Sequence, residues 1–222
     1  LVKWTLFILL LISLLACRED DLTIPLSYPR LMEIPAGFPS IDFPEDNAFT
    51  QARWELGKKL FYDPVMSVDG TISCASCHNP ALAFSDHVAV SLGVEHRSGT
   101  RNAPSLANVA YHPYLLREGG VPTLEMQVLV PIQEHNEFDF NIVLLADQLN
   151  TDSSYVKMAI AAYNKAPDPF VITRALACFE RSLLSGNSPY DQYTQNNNTA
   201  AMSDAQIRGM NLFFSTRTNC SV

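Results

Sequence analysis

The sequence has little positive charge. Its 15 lysines and arginines stand against 23 aspartates and glutamates, which gives a formal net charge of −8 over 222 residues. No cluster of basic side chains is available to neutralise phosphate groups, so the sequence argues against nucleic-acid binding. An acidic surface suits a basic protein partner, although the same charge also serves solubility alone.

Long hydrophobic runs are also missing. The apolar run that follows Lys3 covers only about twelve residues, from Trp4 to Leu15, which is too short for a membrane-spanning helix. The run ends in Leu-Leu-Ala-Cys at Cys17, which resembles the cleavage box of bacterial lipoproteins. We therefore expect residues 1–16 to be a signal peptide and Cys17 to carry a lipid anchor on the periplasmic side of a bacterial envelope. An ordinary secretory signal is the alternative.

Strand-like alternation of apolar and polar residues is absent, whereas helical spacing recurs along the chain. Asp46 or Asn47 is predicted to cap the first helix, Asp168 the clearest one, and a Ser203–Gln206 capping box the last. The predicted helices span 48–61, 123–130, 139–149, 153–163 and 169–184, with the last one after Ser203. The predicted fold class is all-α and loop-rich.

Three segments lack such spacing. Prolines recur between 17 and 47, which predicts an extended tether that wraps onto the domain. The segment 63–122 is rich in turn residues, as expected where a large apolar cofactor supplies much of the core. Polar residues at 191–200 predict a linker.

One short motif carries chemistry: Cys74-Ala75-Ser76-Cys77-His78. Its two thiols can form thioether bonds to the vinyl groups of one porphyrin, and the adjacent imidazole can bind the iron from the proximal side. A C-x-x-C can also be half a zinc site or a thioredoxin-like redox pair. The former needs a second Cys/His pair and the latter a βαβ context, and the sequence has neither. We therefore predict a c-type haem.

The remaining cysteines need no disulfide, even in an oxidising compartment. Cys178 lies in an apolar helical pattern and is predicted to be a buried thiol. Cys220 is expected to begin a second haem motif, which the sequence does not complete.

Five separated segments resemble bacterial di-haem cytochrome c peroxidases and follow in that family's order. They are LGKKLFYDP at 56–64, GTISCASCH at 70–78, RNAPSL at 101–106, TLEMQ at 123–127 and FERSL at 179–183. The resemblance implies a cytochrome c-like haem domain at 48–200. It also implies the first helix of a second such domain at 201–222, and two c-type haems in a longer complete protein.

The resemblance further implies a reaction and its partners. Hydrogen peroxide would be reduced to water at the first haem, with electrons from a small cytochrome or cupredoxin. Gln127 would be the orienting amide and Glu137 the acid/base, whereas two exposed helix-surface side chains are the alternative. A related oxidase of an organic or protein substrate and a non-catalytic electron carrier are alternative functions. A homodimer is compatible with each.

Three further positions follow from the same resemblance. Asn102 would help to hold a calcium ion between the domains, or else would only cap a turn. Some family members have a distal histidine where this sequence has Val94. Either His96, two residues further on, substitutes for that histidine, or the protein resembles family members whose first haem is open at rest. Arg117 stands where the family usually has a tryptophan between the haems, and an arginine can pair with a haem propionate instead.

Overall fold

A computed structural model of the chain describes residues 31–221, and the regular structure in that range is helical. Its nine α-helices are α1 (Gln51–Tyr62), α2 (Cys74–Cys77), α3 (Leu124–Gln127), α4 (Leu129–Gln133), α5 (Ile142–Leu149), α6 (Ser153–Tyr163), α7 (Pro169–Arg181), α8 (Pro189–Thr194) and α9 (Asp204–Phe213). No strand forms between residues 31 and 221, where three isolated antiparallel bridges close loops. The all-α prediction is confirmed.

The signal peptide and the lipidated Cys17 predicted from the sequence lie outside the described residues. Within the described range, no helix is both long enough and apolar enough to span a membrane.

Helices α1 and α7 form the centre of the fold. They cross closely at Gly57, where a Cβ atom would lie 1.9 Å from the backbone oxygen of Ala175. Leu56 and Leu60 of α1 are buried against α7, whose residues Ile172 and Leu176 are also almost fully buried. Burial of these side chains supplies the hydrophobic stabilisation of the helical part. Helices α5 and α6 extend the same core.

The helix ends follow the sequence with two exceptions near α1 and α7. Asp168 caps α7 as predicted, accepting a hydrogen bond from the Val171 amide at 2.8 Å. The cap of α1 is Thr50, which accepts from the Arg53 amide at 3.2 Å; the prediction of Asp46 or Asn47 was wrong. Those two residues instead belong to a separate 3₁₀ turn. Helix α7 also ends three residues earlier than predicted, at Arg181.

Three other predicted segments differ. The helix predicted at 123–130 is two short helices, α3 and α4, that meet at Val128. The helix predicted from 139 begins only at Ile142, because Asn141 caps it through the amides of Val143 and Leu144. Part of the predicted 191–200 linker is helical, since Ser188 and Asp191 form a capping box at the start of α8.

A buried ion pair fastens α3 to α7. Arg181 donates to both carboxylate oxygens of Glu125, at 2.5 and 2.9 Å, and both side chains are less than a tenth exposed. Asn47 donates to the same carboxylate at 2.9 Å and accepts from the Tyr163 hydroxyl at 3.0 Å. Burial alone would raise the pKa of Glu125, but the hydrogen bonds from Arg181 and Asn47 lower it, so the pair is ionised.

Candidate active site

The two motif thiols lie on one helical turn. Ser73 and Ser76 form a capping box that starts α2, with the Ser73 amide donating to the Ser76 hydroxyl at 3.0 Å. Cys74 and Cys77 are therefore three residues apart on this turn, and both are free and partly exposed. Burial raises the pKa of both thiols, so both are protonated at neutral pH.

His78 is oriented by the loop that follows it. Its Nδ1 atom lies 2.8 Å from the carbonyl oxygen of Phe84, which can only accept, so Nδ1 carries the proton. Ala83 and Phe84 both take left-handed backbone angles, and this turn brings the carbonyl back to the ring. Burial lowers the pKa of His78, so the imidazole is neutral and its Nε2 can serve as a ligand.

These residues fit a c-type haem. Cys74 and the neighbouring side chains of Ile72, Ala75 and Phe84 are partly buried and pack against the hydrophobic core, which gives the motif an apolar wall. One buried oxygen nearby, Oε2 of Glu180, has no hydrogen-bond partner within the part of the chain that is described. The Glu180 carboxyl is close enough to Cys74 to raise the pKa of that thiol.

The structure does not support the alternative that the C-x-x-C motif is half of a zinc site. Among residues 31–221, no three His, Cys, Asp or Glu side chains are grouped so that they could hold a metal ion. The motif therefore has the donor set of a thioether-linked haem, with one imidazole for its iron.

Glu137 acts electrostatically on the haem motif, and its part in catalysis stays a prediction. It occupies the loop between α4 and α5, and its charge raises the pKa of both Cys74 and Cys77. Protein atoms around its carboxyl raise the pKa of Glu137 itself, and the charge of Glu134 adds to this effect. The residue as a whole is nevertheless exposed. A carboxyl whose pKa is raised in this way is a candidate proton carrier.

Gln127 is the last residue of α3 and is half-buried. Its side-chain amide makes no hydrogen bond within the described range, so both its donor and its acceptor are free. The Glu125–Arg181 pair, two residues before it, fixes the helix that carries it. The part of Gln127 in catalysis stays a prediction.

The other sequence-derived candidates lie on the surface. His96 is exposed and has a left-handed backbone, while the preceding Val94 is buried. The oxygen of Asn102 accepts from Arg117 at 2.8 Å, so a calcium ion at this amide would compete with a guanidinium. Cys220 is exposed in the turn after α9. The roles of His96, Asn102 and Cys220 stay predictions.

Cys178 is fully buried on α7, as predicted. Sequence reasoning missed Arg97 and Asp139, whose side chains form an ion pair at 2.8 Å beside Glu137. It also missed the buried charges of Glu125, Glu180 and Arg181. In the sequence, the only signal for these three residues is that each is a charged residue among apolar neighbours in a helical segment.

Comparison with known proteins places this site among haem enzymes. A family model described as di-haem cytochrome c peroxidase matches residues 51–199. The methylamine utilization protein MauG of Methylorubrum extorquens is 33% identical over 177 residues, which are 78% of this chain and 50% of that protein. Cytochrome c551 peroxidase of Pseudomonas aeruginosa is 31% identical over 162 residues, 72% of this chain and 46% of that protein.

A solved structure is similar to this chain in both fold and sequence. The crystal structure of a MauG-like protein associated with microbial copper homeostasis superposes with a TM-score of 0.77 and 31% identity, covering 82% of this chain and 54% of that one. The chain thus spans about half the length of the relatives that it matches.

Proposed function

Since this chain belongs to the di-haem cytochrome c peroxidase family, we propose that it forms the haem domain at which an exported enzyme reduces hydrogen peroxide. One hydrogen peroxide, two electrons and two protons give two waters. The single observation that carries the proposal is the electrostatic effect of the Glu137 carboxylate on the haem-motif thiols, because its charge raises the pKa of both Cys74 and Cys77.

A haem bound here would supply the iron at which peroxide is reduced and through which electrons arrive. The residues that would hold it are Cys74 and Cys77, through thioether bonds, and His78, through its Nε2 atom. The hydrogen bond from His78 to the Phe84 carbonyl fixes the plane of the ring and increases the basicity of Nε2.

Glu137 is the proton carrier in this proposal. It takes a proton from one oxygen of peroxide and returns it to the other, which leaves as water. The raised pKa of its carboxyl supports both steps, because protonated and ionised forms are then both populated closer to neutral pH. The free amide of Gln127 orients the peroxide by hydrogen bonding.

The finer assignments belong to the same proposal. Electrons come from a small cytochrome or cupredoxin, for which the net charge of −8 favours a basic partner surface. Residues 48–200 form the peroxidatic domain, and 201–222 begin a second one whose haem binds at Cys220. Calcium at Asn102, periplasmic location and a lipid on Cys17 complete it.

A second candidate is an oxidase that uses peroxide to oxidise an organic or protein substrate. The similarity to a methylamine utilization protein and to a MauG-like structure, at 33% and 31% identity, favours it. Arg117, in place of the usual tryptophan, is one of two departures from the family pattern, the other being Val94 in place of the distal histidine. The two candidates differ in what supplies the electrons.

The test replaces Glu137 by Gln in the haem-loaded protein, with Asp147→Asn, an exposed carboxylate on α5, as the control. We expect Glu137→Gln to lower the rate of peroxide consumption by about 10²- to 10⁴-fold. Haem content, measured by absorption, should stay unchanged, and Asp147→Asn should have a small effect. Unchanged turnover in Glu137→Gln would remove Glu137 from its role.

A reduced small cytochrome separates the two candidates. Peroxide-dependent oxidation of that cytochrome supports the peroxidase. Peroxide consumption that needs an organic or protein substrate, and leaves the cytochrome reduced, supports the oxidase.

A further inference from the structure

We propose that Arg97 is the positioning residue that holds Glu137 in place for proton transfer. The inference rests on the proposed role of Glu137, which lies in a turn that its own amide closes by donating to the Glu134 carbonyl at 3.0 Å. A second loop, 93–97, packs against this turn. For brevity, the contacts of Arg97 with the loop at 134–140 are called the Arg97 clamp.

One guanidinium reaches both sides of Glu137. Its Nη2 atom lies 2.8 Å from Oδ2 of Asp139, two residues after Glu137. Its Nη1 atom lies against the edge of the His135 ring, 2.6 Å from Nδ1 and 2.8 Å from Nε2, two residues before Glu137. The Nε atom donates to the carbonyl of Val94 in its own loop at 3.2 Å, so Arg97 joins the two loops.

The backbone of Glu137 is held at the same place. The amide of Val94 donates to the Glu137 carbonyl at 3.0 Å. At Gly93 a Cβ atom would lie 2.1 Å from the backbone oxygen of Asn136, so only glycine permits this approach. The two loops are therefore in direct contact at Glu137, and the Arg97 clamp closes over that contact.

The loop at 134–140 needs tertiary contacts because it contains an unfavourable backbone conformation. Asp139 has a φ of 51°, in the left-handed region that non-glycine residues rarely adopt. Such a residue persists where its surroundings hold it, and here its side chain is held by Arg97. The Arg97 side chain is only 19% exposed, so its ion pair is better shielded than one on the open surface.

Arg97 acts through position rather than through its charge alone. A nearby cation that acted mainly by its field would lower the pKa of Glu137, whereas that pKa is raised by burial and by Glu134. Misplacement of a catalytic group by about 1 Å can cost about 10²-fold in rate. Loss of the clamp is therefore expected to reduce turnover without removing the haem.

The experiment compares Arg97→Ala and Arg97→Lys with Arg174→Ala in the haem-loaded protein. Arg174 is a matched control, because it makes a 2.8 Å ion pair with Asp46 at 26% exposure, away from the motif. We expect kcat to fall about 10- to 100-fold in Arg97→Ala and to be unchanged in Arg174→Ala. Arg97→Lys should recover only part of the rate, since lysine lacks the planar fork.

Two readouts distinguish positioning from general destabilisation. Hydrogen exchange of the Val94 amide, which bonds to Glu137, should accelerate in Arg97→Ala and not in Arg174→Ala. In a Glu137→Gln background, Arg97→Ala should lower the remaining rate no further, because the group it positions is gone. Asp139→Asn gives a second variant that keeps side-chain shape, with a smaller loss expected in the same direction.

The outcomes separate the two proposals. Unchanged Val94 exchange in both Arg97→Ala and Asp139→Asn would overturn the clamp. An additive loss of rate in the Glu137→Gln background would also overturn it. Full activity of Glu137→Gln would overturn the role of Glu137 instead, while accelerated Val94 exchange in Arg97→Ala would still show that the clamp holds the loop.

Discussion

The helices and the motif loops of this chain are held together in different ways. The helical frame, consisting of α1, α5, α6 and α7, buries nearly every apolar side chain on its facing surfaces. The motif loops, residues 63–122, contain no helix longer than the four residues of α2 within them. Six non-glycine residues of these loops have positive φ: Ala83, Phe84, Glu95, His96, Asn108 and Leu116.

The difference shows which part depends on a cofactor. The frame satisfies its backbone groups internally and gains its stability from apolar burial. The loops bury fewer apolar side chains in the hydrophobic core, Met66 and Leu106 among them, and are also held by individual contacts such as His78 with the Phe84 carbonyl and Arg97 with Asp139. We therefore expect the frame to fold without haem and the loops to become ordered around it. The following changes test that division.

Removing the haem attachment should have the largest effect. Cys74→Ser combined with Cys77→Ser abolishes both thioether bonds, so no haem remains covalently bound. Because the loops lose the group around which they fold, their amides should exchange freely while α1 and α7 keep their protection. Mass spectrometry measures the haem and the exchange together. Equal loss of protection in the helices would contradict the division.

Within the frame, breaking the buried ion pair should cost the most. Arg181→Met leaves the Glu125 carboxylate buried without its main partner, which costs about 3 to 5 kcal/mol of unfolding free energy. Arg174→Met breaks an exposed pair of the same type with Asp46 and should cost at most about 1 kcal/mol. Denaturant unfolding measures both. Similar losses in the two variants would show that Glu125 gains no stability from burial with Arg181.

The helix crossing should respond to a single methyl group. Gly57→Ala would place a Cβ 1.9 Å from the Ala175 oxygen, so the helices must separate, at about 1 to 3 kcal/mol. Gly209→Ala on α9 meets nothing within 4 Å and should be neutral or stabilising, because alanine favours helix. Thermal unfolding of the two variants makes the comparison. If Gly57→Ala leaves the melting temperature unchanged, the two helices do not meet closely at Gly57.

The same division explains what the sequence could predict. Helix α7 was found from apolar spacing and from Asp168, because both signals are local. The cap of α1 was assigned wrongly, since Asp46, Asn47 and Thr50 all suit a helix start and only tertiary contacts choose among them. Asn47 is used instead by Glu125, which lies 78 residues away.

The site itself was less predictable. The haem motif is a contiguous signal, and it was read from five adjacent residues. Glu137 came from a resemblance, because an isolated glutamate in a loop carries no local signal. Arg97 was not recognised at all, since its partner Asp139 is 42 residues away and their pairing depends on how two loops fold.

The smallest effect is expected where the frame meets the motif, at Glu180. Burial is the larger cause that raises the pKa of this carboxyl to about 8, while Arg181 acts in the opposite direction. The folded protein therefore keeps a proton that the unfolded chain releases near pH 4.5, the ordinary pKa of glutamate. The resulting stability is fully present below that pH and is lost as the pH rises through about 8.

Between pH 7 and pH 9, the unfolding free energy of the haem-loaded protein should fall by about 1 to 2 kcal/mol from this group alone. Glu180→Gln keeps the shape but cannot ionise, so this part of the pH dependence should disappear. Glu134→Gln, an exposed carboxylate, should leave it unchanged. Denaturant unfolding at the two pH values measures the difference. If Glu180→Gln retains the full pH dependence, the titration comes from another group and Glu180 is not its source.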